Sequence, residues 1–214
     1  CIRVADMKPL TKEDLIPYAE YERIRDSFRR RIIQLKERRR ISLGDRVALL
    51  FENRDTIQFQ VQEMIRVERI FDPAKIQDEL DVYNKLIPGK GQLSATLFIE
   101  ITDSERIKQD LDAFQGIDRG NVVAIQAGRH RIYAEFEGSH SKEDKISAVH
   151  FVTFRPTVDF IRALSDPDSR ISILINHPAY QVETDVPEDM RQEWLSDLRS
   201  SEVEQVGHPS GGAG

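Results

Sequence analysis

Glu68, Glu63, His150 and His177 are the side chains whose types could do chemistry together. A carboxylate and an imidazole can exchange a proton or share a divalent metal. Glu68 raises the sharpest question. Residues 51–73, FENRDTIQFQVQEMIRVERIFDP, read as a helix. At about 100° per residue, Ile57, Val61, Met64, Ile65 and Phe71 share one arc, and Glu68 falls inside it. A carboxylate buried there needs a cation, a proton or a metal, because desolvation penalises the bare charge. Its neighbours one turn away are Met64, Ile65, Phe71 and Asp72, so the helix offers it no base. A partner has to come from elsewhere: His150, on the same strand face as Ala148, Val152 and Phe154, or Arg25 or Arg29 on the first long helix. The structural alternative is an ion pair or hydrogen bond tying this helix to the sheet, and it is the commoner role for such a group.

Metal ligation would draw on His130, His140, His150 and His177 with Glu52, Glu63 and Glu68. No His-Glu-x-x-His or Glu-x-x-His spacing organises them, so metal and catalytic residues stay unassigned. Pro88-Gly89-Lys90-Gly91 has phosphate-loop residue types but leads into a strand and lacks the P-loop pattern. A dinucleotide fingerprint and a serine nucleophile elbow are absent.

A second kind of chemistry is electrostatic. Residues 20–41 hold nine Lys/Arg against four acids, a local +5 that leaves −11 on the rest of a chain of net charge −6. Arg29, Arg30, Arg31, Arg38, Arg39 and Arg40 are candidates for docking an acidic partner or phosphate. Few aromatics interleave them, which disfavours a single-strand stacking platform and with it nucleic acid. The structural alternative is a set of cations complementing a helix C-terminus and the acidic body.

The elements that must position these groups follow from periodicity. Thr11-Lys12-Glu13-Asp14 resembles a capping box, with Leu10 and Leu15 at the staple positions. A helix over about 20–41 buries Tyr21, Ile24, Phe28, Ile32 and Leu35. A strand, Val47 to Glu52, precedes the quoted helix, which starts near Asn53 or Asp55 and stops near Asp72-Pro73. The next helix packs Ile76, Leu80, Tyr83 and Ile87. From Leu93 to Ile101 the period is two, a strand. A helix over 102–114 follows, then strands 121–127 and 131–137, a strand 147–155, a short helix 157–164, strands 170–176 and 180–185, and a terminal helix 187–198 with Met190, Trp194 and Leu198 inward. Sequence-adjacent strands with interspersed helices give an α+β fold with a largely antiparallel sheet and an N-terminal helical segment. The expected organisation is one domain over 7–200, with 201–214 a disordered tail.

Of the 214 residues, 32% are charged and 39% hydrophobic, which suits a soluble protein. The longest apolar run, Val47 to Phe51, is too short to span a bilayer. No secretory signal is visible, and Met7-Lys8-Pro9-Leu10 reads like a translation start. The single cysteine, Cys1, cannot form an intrachain disulfide or ligate an iron–sulfur cluster alone. A reducing cytoplasm is the expected location.

The stretches LTKEDLIPYAEYERIRDSFRRRIIQLKERRRISLG, LLFENRDTIQFQVQEMIRVERIFD, ELDVYNKLIPGKGQLSATLFIEI, SAVHFVTF and NHPAY together resemble a bacterial domain family of unknown function. The resemblance runs from about Met7 to Leu198. Members are commonly encoded beside rubrerythrin-like proteins and cysteine-rich iron–sulfur oxidoreductases, which implies an oxidative-stress or electron-transfer setting. It brings no catalytic residues. The leading expectation is an accessory protein docking through its arginines onto a partner of that kind. The alternatives are a metal- or small-ligand-binding protein, enzyme included, centred on Glu68 with His150, Glu63 and His177, and a nucleic-acid binder acting through the basic helix. A homo-oligomer stays open, and the cofactor is unassigned.

Overall fold

The structure, a computed structural model, describes residues 7–138 and 148–199. Its elements in chain order are α1 (Tyr18–Glu37), β1 (Arg40–Leu43), β2 (Val47–Glu52), α2 (Arg54–Glu68), α3 (Pro73–Tyr83), β3 (Leu93–Ile99), α4 (Ile107–Asp112), β4 (Val123–Ala127), β5 (His130–Tyr133), β6 (Glu135–Phe136), β7 (Val149–Phe154), α5 (Val158–Ser165), β8 (Ile171–His177), β9 (Tyr180–Asp185) and α6 (Glu188–Arg199). The strands form two antiparallel sheets, β1-β2-β3-β7-β6 and β5-β4-β8-β9, and the α+β class holds. Among the described residues no helix is long and apolar enough to cross a membrane.

The sheets face each other across one core. Val47, Leu49 and Phe51 of β2 and Leu93, Ala95, Leu97 and Ile99 of β3 meet Val123 and Ile125 of β4 and Ile171, Ile173 and Ile175 of β8. Period-two alternation delivers these residues to one side of each strand. The strand read from sequence as 131–137 is divided between both sheets, as β5 and β6: the Ala134 N–H donates to the Val123 carbonyl at 2.9 Å, and the Glu137 N–H to the Phe151 carbonyl at 2.9 Å. Ala134 itself is buried at the changeover. On the far side the Tyr180 hydroxyl donates to the Leu43 carbonyl and accepts from the Arg46 N–H. Gly44, at φ +71°, makes this approach feasible, since a Cβ there would collide with the Tyr180 hydroxyl. Trp194 of α6 fills one end of the core against Phe51, ring centroids 4.6 Å apart. Phe114 and Ile117 fill the other, where Phe114 lies 5.2 Å from the Tyr180 ring.

Every residue of β2 is buried, because helices cover the outer face of the first sheet. α2 turns Ile57, Val61 and Ile65 onto Leu80 of α3 and onto Leu86 and Leu10. α1 lays Tyr21, Phe28 and Ile32 over Phe59. The capping expected at Thr11 is present, with the Thr11 N–H donating to the Asp14 carboxylate at 2.8 Å. Asp72 caps α3, accepting from the Ala74 N–H at 3.0 Å, with Pro73 in the first turn. The outer face of the second sheet stays open along its middle, where Tyr133, Gln181 and Glu183 are exposed.

Two expected boundaries move. The helix over 20–41 ends at Glu37, and Arg40–Leu43 pairs antiparallel with β2. The helical apolar stripe runs out at Leu35, whereas Ile41 and Leu43 alternate with exposed Arg40 and Ser42. The quoted helix stops at Glu68, because Arg69 adopts the left-handed conformation, φ 51°, and the Ile70 N–H turns back to the Ile65 carbonyl. The expected helix over 102–114 becomes a tight turn at Ser104–Arg106 followed by α4. The expected disordered tail and His140 lie outside the described residues.

Candidate functional site

The end of α2 decides the fate of Glu68. Its place in an apolar arc depended on Phe71 continuing the helix, and the helix stops first. Glu68 is exposed, which corrects the expectation of a buried carboxylate there. Phe71 swings out to lie edge-on against Tyr18, ring centroids 5.1 Å apart.

The residues grouped with Glu68 occupy separate neighbourhoods. Glu63 accepts the Tyr21 hydroxyl at 2.6 Å and two Arg25 nitrogens at 2.8 Å each, joining α2 to α1. Arg25, by hydrogen bonding, holds the Glu63 carboxyl below its ordinary range, with Tyr21 adding to the effect against desolvation. His177 is buried at the end of β8; its Nδ1 accepts from the Ala179 N–H at 3.1 Å, and its Nε2 donates to the Gln115 carbonyl at 2.7 Å. That bonding fixes the orientation of the ring and ties the β8–β9 turn to Gln115. His150, half-buried on β7, lies edge-on to the Phe136 ring at 5.6 Å. Among the described residues no group of three or more His, Cys, Asp or Glu is placed to hold a metal ion.

The structure builds its polar centre around Arg39 instead. Arg39 has a relative exposure of 0%. It lies between α1 and β1, where its carbonyl accepts the Phe51 N–H at 2.8 Å, so backbone pairing aims the side chain inward. The guanidinium then donates to the Phe51 carbonyl at 2.7 Å, the Glu52 carbonyl at 3.2 Å and Glu193 at 2.9 Å. Asp197 receives two further bonds, one of them at 3.2 Å. Burial pushes the Asp197 carboxyl up to about 6, with Arg39 pulling it down and the Glu193 charge adding to the rise. Burial also opposes the charge on Arg39, but Asp197 and then Glu193 outweigh it and hold the guanidinium above its ordinary value.

The network continues through the same peptide. The Glu52 side chain, on the outer face of the sheet, accepts the Thr56 hydroxyl from α2 and the Thr96 hydroxyl, 2.8 Å away, from β3. Asn53 caps α2 by accepting the Thr56 N–H at 3.0 Å. A polar line therefore runs from α6 through Arg39 and the end of β2 to α2. Each group in it is engaged by another, so its chemistry is fastening. Sequence reasoning placed Arg39 in a surface run and did not single out Asp197 or Glu193. A signal was there: Met190, Trp194, Asp197 and Leu198 share one face of α6 at helical spacing.

The proposed docking arginines divide accordingly. Arg38 pairs with Glu193 at 2.9 Å, Arg39 is buried, and Arg40 pairs with Glu100 and lies over the Phe98 ring at 5.2 Å. Arg29, Arg30 and Arg31 are exposed, but consecutive helical residues point about 100° apart. Arg31 curls over Phe28 at 4.8 Å.

A family model described as "Protein of unknown function (DUF3501)" matches residues 9–198. A crystal structure from Burkholderia pseudomallei K96243, described as a novel protein of unknown function, is 31% identical with a TM-score of 0.82, over 89% of this chain and 100% of that one. No curated protein matches the chain.

Proposed function

This chain belongs to the DUF3501 family of proteins of unknown function, and from that premise we propose that it is an accessory protein that docks onto a partner in an oxidative-stress or electron-transfer system. The observation that carries the reading is the division of its polar groups. Arg39, Glu193, Asp197, Glu52, Glu63 and His177 are each bonded to other side chains or to main chain within the fold. Arg29 and Arg30 stand exposed on α1. The family resemblance supplies the partner class, a rubrerythrin-like protein or an iron–sulfur oxidoreductase working in the cytoplasm. With one cysteine, this chain would lean on such a partner for any cluster.

Docking through Arg29 and Arg30 would be steered by an acidic partner surface and screened by salt. The test is a binding titration between this protein and a purified partner of either class, at low and high ionic strength. Saturable binding that weakens with salt and with Arg29→Glu/Arg30→Glu supports the reading. No binding to either class at low salt overturns it.

A further inference from the structure

The second sheet turns its inner residues into the core and leaves its outer face open. Register across that face sets a row of Tyr133 on β5, Ala124 on β4, Leu174 on β8 and Glu183 on β9. Ala124 is short and buried while Tyr133 and Glu183 at the ends of the row are long, and these residues line a dish on the face. Ala124 is buried at the bottom, at 3% exposure. The dish holds about 600 Å³, within the range of small-molecule sites.

Its rim is chemically specific. Asn121, Asn176 and Gln181 line it, and among the described residues nothing hydrogen-bonds their side-chain amides. The Tyr133 hydroxyl is likewise unengaged, and its ring is 43% exposed. Arg131 lines the dish as well, and among the described residues its side chain makes one hydrogen bond, from Nε to the Gln126 amide oxygen at 2.7 Å. The fold therefore presents an aromatic wall, an apolar floor, three planar amides and a guanidinium edge together. Asn and Gln amides pair two bonds at a time with the edge of adenine, and Arg does so with guanine. Tyrosine rings on open sheets stack bases.

The charges say what should be attached to such a base. Glu183 and Asp185 stand on the same face, each paired with Arg170, at 2.9 and 2.7 Å. Among the residues that line the dish Arg131 is the one cation and Glu183 the one carboxylate, so there is no surplus of positive charge to hold phosphate.

We propose that the open face of the β5-β4-β8-β9 sheet binds a purine base or nucleoside, stacked on Tyr133 with its edge read by Asn121, Asn176 and Gln181. This is independent of the docking role of α1.

The test titrates the full chain by calorimetry with adenosine, guanosine, their 5′-monophosphates, glucose and a short oligo-adenylate. The expected result is saturable binding of a nucleoside, with the monophosphate and the oligonucleotide weaker. Tyr133→Ala should weaken nucleoside binding at least about fivefold, as loss of stacking does elsewhere. Asn176→Ala should weaken it severalfold. Tyr133 and Asn176 are exposed, so both variants should melt like the parent, and a melt confirms the fold. The proposal is overturned if neither nucleoside binds up to millimolar concentration, or if both variants bind as well as the parent. It is equally overturned if glucose binds where nucleosides do not, or if phosphate-bearing ligands bind more tightly than the nucleoside.

Discussion

Arg25–Glu63 and Arg39–Asp197 place the same two groups, a guanidinium and a carboxylate, at different depths. Arg25 and Glu63 retain 25% and 23% of their side-chain exposure, while Arg39 and Asp197 retain 0% and 2%. The half-exposed carboxylate is held below its ordinary range, and the buried one is pushed up to about 6. Water still solvates Glu63, so the hydrogen bonds of Arg25 and Tyr21 decide its protonation. Around Asp197 desolvation is the largest influence, and a second carboxylate, Glu193, competes for the same cation. Depth, not pairing, sets the direction.

The strongest way to break this contrast is to remove Arg39. Arg39→Ala leaves the buried Asp197 carboxylate without its cation and beside Glu193, and stability to urea should fall by about 3–5 kcal/mol. Replacing both partners sharpens the point: Arg39→Met/Asp197→Leu should be more stable than Arg39→Ala, because no buried charge is left unpaired. Glu63→Gln should cost much less, on the order of 1 kcal/mol, since exposed pairs contribute little.

The pH dependence should separate the two centres by sign. Glu63 is depressed in the fold, so its contribution is present above its unfolded value, about 4.3, and is lost as pH falls through its folded value. Asp197 is raised, so the native state binds its proton more firmly than the unfolded chain does. Its contribution is fullest below about 3.9 and declines as pH climbs towards 6. Urea midpoints from about pH 3 to about pH 7 measure both. Glu63→Gln should flatten the acid limb, and Asp197→Asn the slope between about pH 4 and 6. The smallest effect is expected at the surface. Arg29→Ala/Arg30→Ala should leave the melting temperature unchanged while weakening partner binding, which separates stability from docking.

Much of the fold was legible because it follows one-dimensional rules. Tyr21, Phe28 and Ile32 read as one helical stripe, Ile57, Val61 and Ile65 as another, and each is buried as read. Alternation identified the strands on either side of the core. The failures have a common cause, which is that tertiary partners overrode a local pattern. Arg38, Arg39 and Arg40 look like the basic end of a helix, and only Phe51 and α6, far along the chain, show that Arg39 belongs inside. Glu68 was placed in a stripe that a left-handed turn at Arg69 cuts short. The division of residues 130–136 between two sheets carries no sequence signal, since alternation persists through the bend at Ala134. The dished face was missed because its rim residues read as ordinary solvent-facing positions of their strands.

The shared strand has a consequence for the chain while it is being made. With synthesis stopped just after residue 138, β3 would lack β7 and β4 would lack β8. The ribosome-bound product would then carry two unsatisfied hydrogen-bonding edges on apolar strands, a template for pairing with neighbouring chains. Both edges close only once the last third of the polypeptide has emerged.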